Sequence, residues 1–162
     1  LEQVQVGFTL LGEDGRIVEQ AERFVASTLV DVDERSPFAL LFGAIPNDVD
    51  RYTAYPAGGV AAYMGSYYRD LDVRTREGAT TGVASYTVSG IVFNAGPEEA
   101  VAVQVVVTAY DPVDRVIAMR KISPDHNVVT SGGETTFSAV LTPLGGPVAR
   151  VAAIAEGRRI GQ

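Results

Sequence analysis

The sequence contains no cysteine and no tryptophan, and its single histidine is His126. The absence of cysteine excludes disulfides, thiolate catalysis and Cys-based zinc sites. No apolar run reaches the roughly 18 residues that a membrane-spanning helix needs, so we expect no transmembrane segment. No signal peptide opens the chain at Leu1, and a start without Met is consistent with a processed protein or a trimmed chain, either of which leaves room for an export signal upstream.

Basic residues are also scarce. The chain has 13 Lys and Arg against 20 Asp and Glu, which gives a net charge of -7, and the basic residues form no cluster. Proteins bind nucleic acids and anionic membranes through Lys and Arg that replace counterions. We therefore expect no nucleic-acid partner. An apolar content of 46% predicts a globular chain. Valine is the commonest residue, turn formers are frequent with 17 Gly and 8 Pro, and Lys, Gln and Met are sparse, which together predict an all-β fold.

The chain repeats itself. A shift of 99 residues superposes the first third on the last third without a gap, and eleven of the fifty-five positions from Val4 to Gly58 are then identical. Chance would give roughly four identities at one offset. The first-copy members are Val4, Gln5, Val6, Thr9, Arg16, Val30, Phe38, Val49, Arg51, Ala54 and Gly58. This similarity indicates a duplication.

Period-two alternation predicts strands in both copies. Apolar residues alternate with other residues over 4–10 and over 103–109. Turns at 13–15 and 111–114 then predict a hairpin in each copy, and turns at 31–34 and 131–134 follow. We further predict strands centred on Phe38 and Phe137, and last strands through Tyr52 and Val151. This spacing is typical of an antiparallel sandwich.

Two stretches carry a family resemblance. Residues 88–96 read V-S-G-I-V-F-N-A-G, and residues 107–111 read V-T-A-Y-D, followed by Gly132-Gly133-Glu134 and Phe137. The first copy has F-T-L-L-G at 8–12, so the two copies overlaid read F-T-L-Y-D. The chain resembles the FxLYD domain family, an immunoglobulin-like module found largely in exported proteins of bacteria and archaea. The resemblance implies a structural or binding module and carries no active site.

The resemblance and the repeat together predict tandem immunoglobulin-like β-sandwich modules, of which the first lacks its N-terminal strand or strands. We expect a partial module at 1–58, a linker at 59–67, a complete module at 68–157 and a tail at 158–162. The strand at 88–96 maps before residue 1 under the shift. We expect upstream residues to fill the gap; the alternatives are the segment 60–73 folding back, or a second molecule, which would give a homodimer through this edge.

Candidate chemistry is sparse. His126 lies in a polar loop without a nucleophile elbow, which argues against a serine hydrolase. Asp31, Asp33 and Glu34 form an acidic run, but it lacks the glycine and final glutamate of an EF-hand loop. Gly58-Gly59 and Gly132-Gly133 are not followed by the Lys-Ser/Thr of a phosphate-binding loop. We expect no enzyme, no cofactor and no metal.

Tyrosines crowd the end of the first copy and the segment after it. Tyrosine combines a large contact area with a polar tip, which suits protein or sugar recognition, and it equally suits packing between modules. The candidate contact residues are Tyr52, Tyr55, Tyr63, Tyr67, Tyr68 and Arg69, with Arg51 as a further polar partner.

The expected function is that of a non-enzymatic interaction, adhesion or spacer module, secreted or associated with the cell envelope, with a protein or glycan partner. The alternative is small-ligand or carbohydrate binding through the tyrosine-rich segment.

Overall fold

A computed structural model describes residues 1–43, 48–76, 78–80 and 85–161. The chain divides into two compact units, Leu1–Ala62 and Tyr63–Gln162, called here the first and second unit. All strand pairs are antiparallel, and the described residues contain no α-helix. The predicted all-β class is therefore confirmed. No helix in the described part of the chain is long and apolar enough to cross a membrane.

The first unit contains one three-stranded sheet. Its strands are β1 (Glu2–Gly12), β2 (Ile17–Phe24) and β3 (Val49–Val60), in the order β2-β1-β3. A tight turn joins β1 to β2, and Gly15 adopts a φ of 79° there, a conformation that glycine reaches without steric cost. Leu10 and Leu29 are the large apolar residues that the unit buries among those described.

The second unit contains two four-stranded sheets. After a 3-10 turn at Met64–Ser66, the strands are β4 (Tyr67–Tyr68), β5 (Leu71–Thr75), β6 (Ala79–Thr80), β7 (Tyr86–Asn94), β8 (Ala100–Tyr110), β9 (Val116–Ile122), β10 (Glu134–Leu141) and β11 (Arg150–Arg159). One sheet has the order β10-β7-β5, with β6 also paired to β7. The other has the order β4-β11-β8-β9.

One core joins the two sheets of the second unit, an arrangement consistent with a β-sandwich. Val88 and Val92 of β7 and Val103, Val105 and Val107 of β8 are 0% exposed. They recur at every second or fourth position, so each strand turns one face inward. Burying a valine side chain contributes about 2 kcal/mol, and these side chains therefore account for much of the unit's stability.

The strand registers of the two units agree under the 99-residue shift. In the β1–β2 hairpin Leu10 lies opposite Glu19, and in the β8–β9 hairpin Ala109 lies opposite Ala118. Both hairpins break register one residue later, at the same shifted position. The β1–β3 and β8–β11 ladders also correspond, since Leu11 pairs with Arg51 and Tyr110 with Arg150. The sheet β2-β1-β3 therefore corresponds to β9-β8-β11.

Unusual backbone conformations repeat as well. Positive φ occurs at three shifted pairs: Gln3 and Ala102 (53° and 51°), Gly15 and Asp114 (79° and 63°), and Asp33 and Gly132 (62° and 70°). Loop hydrogen bonds also correspond, because Ala26 N donates to Pro37 O and Asp125 N donates to Thr136 O, each at 2.8 Å. Such agreement in irregular segments goes beyond what shared strand patterning produces.

The strand predicted around Phe38 is wrong. Residues 34–42 belong to no strand, whereas the strand predicted around Phe137 is β10. β10 pairs only with β7 among the described residues, and the described first unit holds no counterpart of β7. A strand requires a hydrogen-bonding neighbour, so the same alternating pattern forms a strand in one unit and an extended loop in the other.

Other predicted segments fall as follows. The proposed linker, 59–67, comprises the end of β3, the 3-10 turn and the first residue of β4. Residues 68–75 contribute to two different sheets, through β4 and β5. The proposed tail at 158–162 includes the last two residues of β11, and its final residue lies outside the described part.

Candidate functional site

The candidate site is the sheet face of the first unit that corresponds to the core-facing side of β8 and β11. Under the shift, Val103, Val105 and Val107 map back to Val4, Val6 and Phe8, and Val151 and Ala153 map back to Tyr52 and Ala54. We call these five first-unit residues the open face. Their second-unit counterparts belong to the core or pack against it. In the first unit none of the five is fully buried.

Aromatic rings dominate the open face. The rings of Phe8 and Tyr52 are stacked at 4.9 Å between centroids and 17° between planes. Phe42 tilts toward Phe8 at 6.1 Å. Tyr52 is nevertheless 66% exposed. Stacking on the half-buried Phe8 already holds the exposed Tyr52 ring, which therefore offers apolar area at little entropic cost, and this suits binding.

A segment at residues 35–42, called here the cover segment, reaches this face through the Phe42 ring, whose centroid lies 6.1 Å from that of Phe8. Phe38, Leu40 and Phe42 are half-buried, while Ala39 and Leu41 point outward and are exposed. In β10 the corresponding alternation is complete, with Phe137, Ala139 and Leu141 almost fully buried. The cover segment thus keeps the orientation of β10 with less of the burial.

Tyr55 lies on the opposite side of the sheet. Its hydroxyl is hydrogen-bonded to the Gln20 amide, and its ring lies so close to Gly7 that a Cβ there would approach the ring to 2.4 Å. Tyr52 and Tyr55 therefore do not share one surface. Only Tyr52 belongs to the open face.

The remaining tyrosines belong to the second unit. Tyr67 and Tyr68 are 3% and 1% exposed. The Arg158 guanidinium lies 3.8 Å above the Tyr67 ring, and one of its nitrogens donates to Tyr67 Oη at 3.1 Å. Burial gives Tyr67 and Tyr68 an internal packing role, and we leave them out of the contact surface. Tyr63 and Arg69 are exposed, on the 3-10 turn and after β4.

Asn94, at the end of β7, is held by hydrogen bonds to its side-chain amide. Its Oδ1 accepts from Tyr68 Oη at 2.7 Å and from Gly96 N at 3.0 Å, and its Nδ2 donates to Glu98 O and Val129 O at 2.8 and 2.9 Å. The side chain is 0% exposed. A buried amide with every group paired fixes the end of β7 against the neighbouring loops.

Gly90 and Gly96 of the same motif are required by close packing. A Cβ on Gly90 would lie 2.5 Å from the Phe137 ring and from Arg74 O, and one on Gly96 would lie 2.2 Å from Tyr68 Oη. Val88 and Val92 fill the core. These glycines and valines therefore have structural roles.

Asp111 closes the β8–β9 turn. Its carboxylate accepts the backbone N–H groups of Arg115 and Val113 at 2.9 and 3.0 Å and pairs with the Arg115 guanidinium at 2.7 Å. The Arg115 backbone N–H is the main cause that holds the pKa of Asp111 below its ordinary value, against burial, which raises it. Asp111 thus has a structural role in this turn.

The first unit makes the same turn with a different carboxylate. Gly12 occupies the position of Asp111, and Asp14, two residues further on, accepts Arg16 N at 3.0 Å and pairs with the Arg16 guanidinium at 3.0 Å. Arg16 corresponds to Arg115 under the shift. Asp14 therefore stabilises the first hairpin turn, where Gly12 has no side chain to make the hydrogen bonds that Asp111 makes in the second.

The histidine and the acidic residues considered as catalytic or metal-binding candidates are either isolated or hydrogen-bonded within turns. His126 is exposed, and its backbone N donates to Thr135 Oγ1. Asp31 Oδ1 accepts Val32 N, and Glu34 Oε2 accepts Asp31 N, within the 31–34 turn. A depression of about 560 Å³ next to the first hairpin is lined by Gly12, Glu13, Asp14, Asp48, Val49 and Asp50. Among the described residues no three His, Asp or Glu side chains are grouped to hold a metal ion.

No protein-family model matches the chain, and no curated protein matches it. The resemblance to the FxLYD family therefore stays a prediction.

Sequence reasoning missed Phe8 and Phe42 as members of the site. The signal was available for Phe8, because the shift places it on Val107, a residue that period-two alternation predicts to face the core. An aromatic residue at the position that a core valine takes in the second unit marks the open face.

Proposed function

We propose that the chain is a non-enzymatic interaction module of the cell surface or envelope, built from two immunoglobulin-like modules similar to the FxLYD family. In this proposal the second unit is the structural scaffold, and the first unit presents the contact surface. One observation carries it. On the open face Val4, Val6 and Phe8 are half-buried, whereas their counterparts Val103, Val105 and Val107 are 0% exposed, and Tyr52 and Ala54 beside them are exposed.

Two further observations support the proposal. The motif residues Asn94, Gly90 and Asp111 are all engaged in holding the second unit together. The open face is apolar and aromatic, in a chain that otherwise carries a net charge of -7. Uncovered apolar area on a charged chain is typical of a protein-contact surface.

Site-directed photo-crosslinking tests this function. A benzoylphenylalanine at position 52 should give a discrete crosslinked adduct in envelope extracts of cells that export the protein. Position 154 is the matched control, since Ile154 is exposed and lies on the outer side of β11. Equal labelling at both positions, or none at position 52, would contradict the proposal.

Carbohydrate binding is the second candidate, and the exposed rings of Tyr52 and Tyr63 favour it. Sugars stack on exposed aromatic rings through their apolar faces. A glycan array with the intact chain decides this: signal lost on Tyr52→Ala or Tyr63→Ala supports a sugar site, and a blank array supports the protein-contact function.

A further inference from the structure

The second unit has one long strand whose outer edge is open. On one side β11 pairs with β8 along its length, and on the other side it pairs with β4 only at Gly157 and Arg158. Within the part of the chain that the structure describes, no strand pairs with β11 on that side between Arg150 and Glu156. We call this stretch the open edge. A sheet edge of this kind presents backbone N–H and C=O groups to which a further strand can pair.

The open edge is complementary to itself when it runs antiparallel to a second copy. Its residues read R-V-A-A-I-A-E. Because β4 begins beside Gly157, the antiparallel register that uses the whole open edge is centred on Ala153. This register places Arg150 opposite Glu156 of the second copy at both ends. Between the ends, Val151 and Ile154 each lie opposite an alanine, so large side chains meet small ones.

The charges at the two ends of the open edge already belong to ion pairs within the chain. Arg150 pairs with Asp114, and Glu156 pairs with Lys121. A guanidinium has five N–H donors and a carboxylate has two oxygens, so each group can bind more than one partner. In the pairing of two copies these side chains form a row of alternating sign, whose middle contact joins Arg150 to Glu156. A register shifted by two residues loses that contact, and the charges therefore select one register.

The side chains along the open edge are less buried than those of the neighbouring strand. Val105 of β8 is 0% exposed, whereas Val151, Ala153 and Ala155 pack against the same core and are only partly buried. On the outer face Ile154 is 45% exposed. A strand paired along the open edge removes apolar surface on both faces of β11 from water, which adds to the backbone hydrogen bonds.

The corresponding edge of the first unit differs at the positions that such a pairing needs. Under the 99-residue shift, residues 150–156 map to 51–57, which read R-Y-T-A-Y-P-A. Pro56 takes the position of Ala155, and a proline at a sheet edge has no N–H to donate to a further strand. Ala57 takes the position of Glu156, so the charges at the two ends no longer match. Of two equivalent edges, the chain protects one and leaves the other able to pair.

From these observations we infer that two copies of the chain form a symmetric dimer through the open edge. The two β11 strands run antiparallel about a two-fold axis at Ala153, and β9-β8-β11 of one copy continues into β11-β8-β9 of the other. The inference goes beyond the proposed function, because it concerns the second unit and leaves the open face to another partner. Such a dimer carries two open faces, so a partner with repeated sites binds it with higher avidity.

Sedimentation velocity of the intact chain over a concentration series tests the inference, together with the variant Ala155→Pro. We expect a monomer–dimer equilibrium that this variant abolishes. The first unit shows that the sheet accommodates proline at this position, since Pro56 pairs with Val6 as Ala155 pairs with Val105. Unchanged amide exchange in β8 shows that the second unit of the variant is folded.

Two charge variants give an independent test of the same pairing. Arg150→Glu and Glu156→Arg each place like charges opposite one another at both ends, and each should weaken self-association by about tenfold or more. An equimolar mixture of the two variants restores both opposite-charge contacts and should form a heterodimer. Arg51→Glu, at the corresponding position of the first unit, is the matched control and should leave association unchanged.

A single cysteine tests the register, since the chain contains none. Ala153→Cys should give a disulfide-linked dimer on mild oxidation, because the two copies of this residue lie opposite each other within the reach of a disulfide. Ala54→Cys, at the corresponding position of the first unit, should remain a monomer under the same conditions.

Three results would overturn the inference: a chain that is monomeric throughout the concentration series, undiminished association of Ala155→Pro, or a charge mixture that associates no better than its components. Where the proline variant fails to fold, the charge mixture decides alone. A crosslink from position 154 to a second copy has twice the mass of the chain, which distinguishes it from the partner adduct expected at position 52. Absence of that partner adduct contradicts only the proposed function.

Discussion

In the second unit, β8, β9 and β11 lie beneath a second sheet, whereas the described residues of the first unit form no second sheet beside the corresponding β1, β2 and β3. The hairpin register, the bulge and three positive-φ positions are nevertheless the same. Local pairing and turn chemistry therefore determine the path of these strands. The second sheet determines how deeply their inner face is buried.

The largest effect is expected for Asn94→Ala, because this buried amide of β7 makes four hydrogen bonds that hold the end of the strand. The substitution leaves the buried Tyr68 hydroxyl and the Glu98 carbonyl short of a partner and removes one of the two donors to the Val129 carbonyl, and we expect a loss of about 3–4 kcal/mol. Urea unfolding followed by NMR signals of each unit measures it. Signals from the first unit should be unaffected.

Asn127→Ala is the matched control for this variant. Asn127 is exposed and uses its backbone carbonyl, which accepts Val103 N, and alanine retains that group. We expect a change below about 0.5 kcal/mol. Equal losses for the two asparagines would contradict the role given to Asn94.

Gly90→Ala should be next in size. The added Cβ would meet the Phe137 ring and Arg74 O at 2.5 Å, so strands or ring must shift, and we expect a loss of about 2–3 kcal/mol in the second unit. Gly58→Ala is the control, since no atom lies within 4 Å of its added Cβ. Thermal unfolding of both variants makes the comparison, and a stable Gly90→Ala protein would refute the close packing.

Val105 and Val6 correspond under the 99-residue shift, so replacing each by alanine compares how much the same position contributes to the stability of each unit. Val105 is 0% exposed and Val6 is half-buried. Val105→Ala should cost the second unit about 2 kcal/mol, and Val6→Ala should cost the first unit less than about 1 kcal/mol. The unfolding free energy of each unit, from urea titration, gives both values. Equal costs would mean that the open face is covered in solution.

The two hairpin turns should differ in their response to acid. The pKa of Asp111 is lowered in the folded chain, so its stabilising contribution is present above its ordinary pKa and is lost as the pH falls through the folded value. Below about pH 4 the second unit should therefore lose stability, and Asp111→Asn should remove that part of the pH dependence. Thermal unfolding from pH 2 to pH 6 tests this.

Asp14→Asn gives the corresponding measurement in the first unit. Its side chain is 58% exposed and its ion pair with Arg16 is solvated, so we expect a change within about 0.5 kcal/mol at neutral pH. A large effect would show that this turn matters more than its exposure suggests.

Much of the fold follows from the sequence. Alternation at 4–10 and 103–109 predicts β1 and β8, turn residues predict both hairpins, and the 99-residue shift relates them. The strand around Phe38 failed because strand pairing depends on a neighbour distant in sequence, and the pattern of the segment does not contain that neighbour.

The site was less predictable. Tyr52 and Tyr55 are three residues apart in one strand, so they point to opposite faces of the sheet, and this much could have been read from the period. The burial of Tyr67 and Tyr68 could not, because it depends on the pairing of β4 with β11 across the whole module. Which tyrosines are buried thus depends on how the strands pair, and the local sequence pattern does not contain that information.

Amide hydrogen exchange of the chain alone tests the central claim most directly, since the claim concerns equivalent segments that differ in one neighbouring strand. β1 and β8 should both be protected, β10 (Glu134–Leu141) should be protected, and residues 38–42 should exchange at least a hundredfold faster than β10. Equal protection in residues 38–42 and β10 would contradict the account, because it would show that the first unit already pairs that segment.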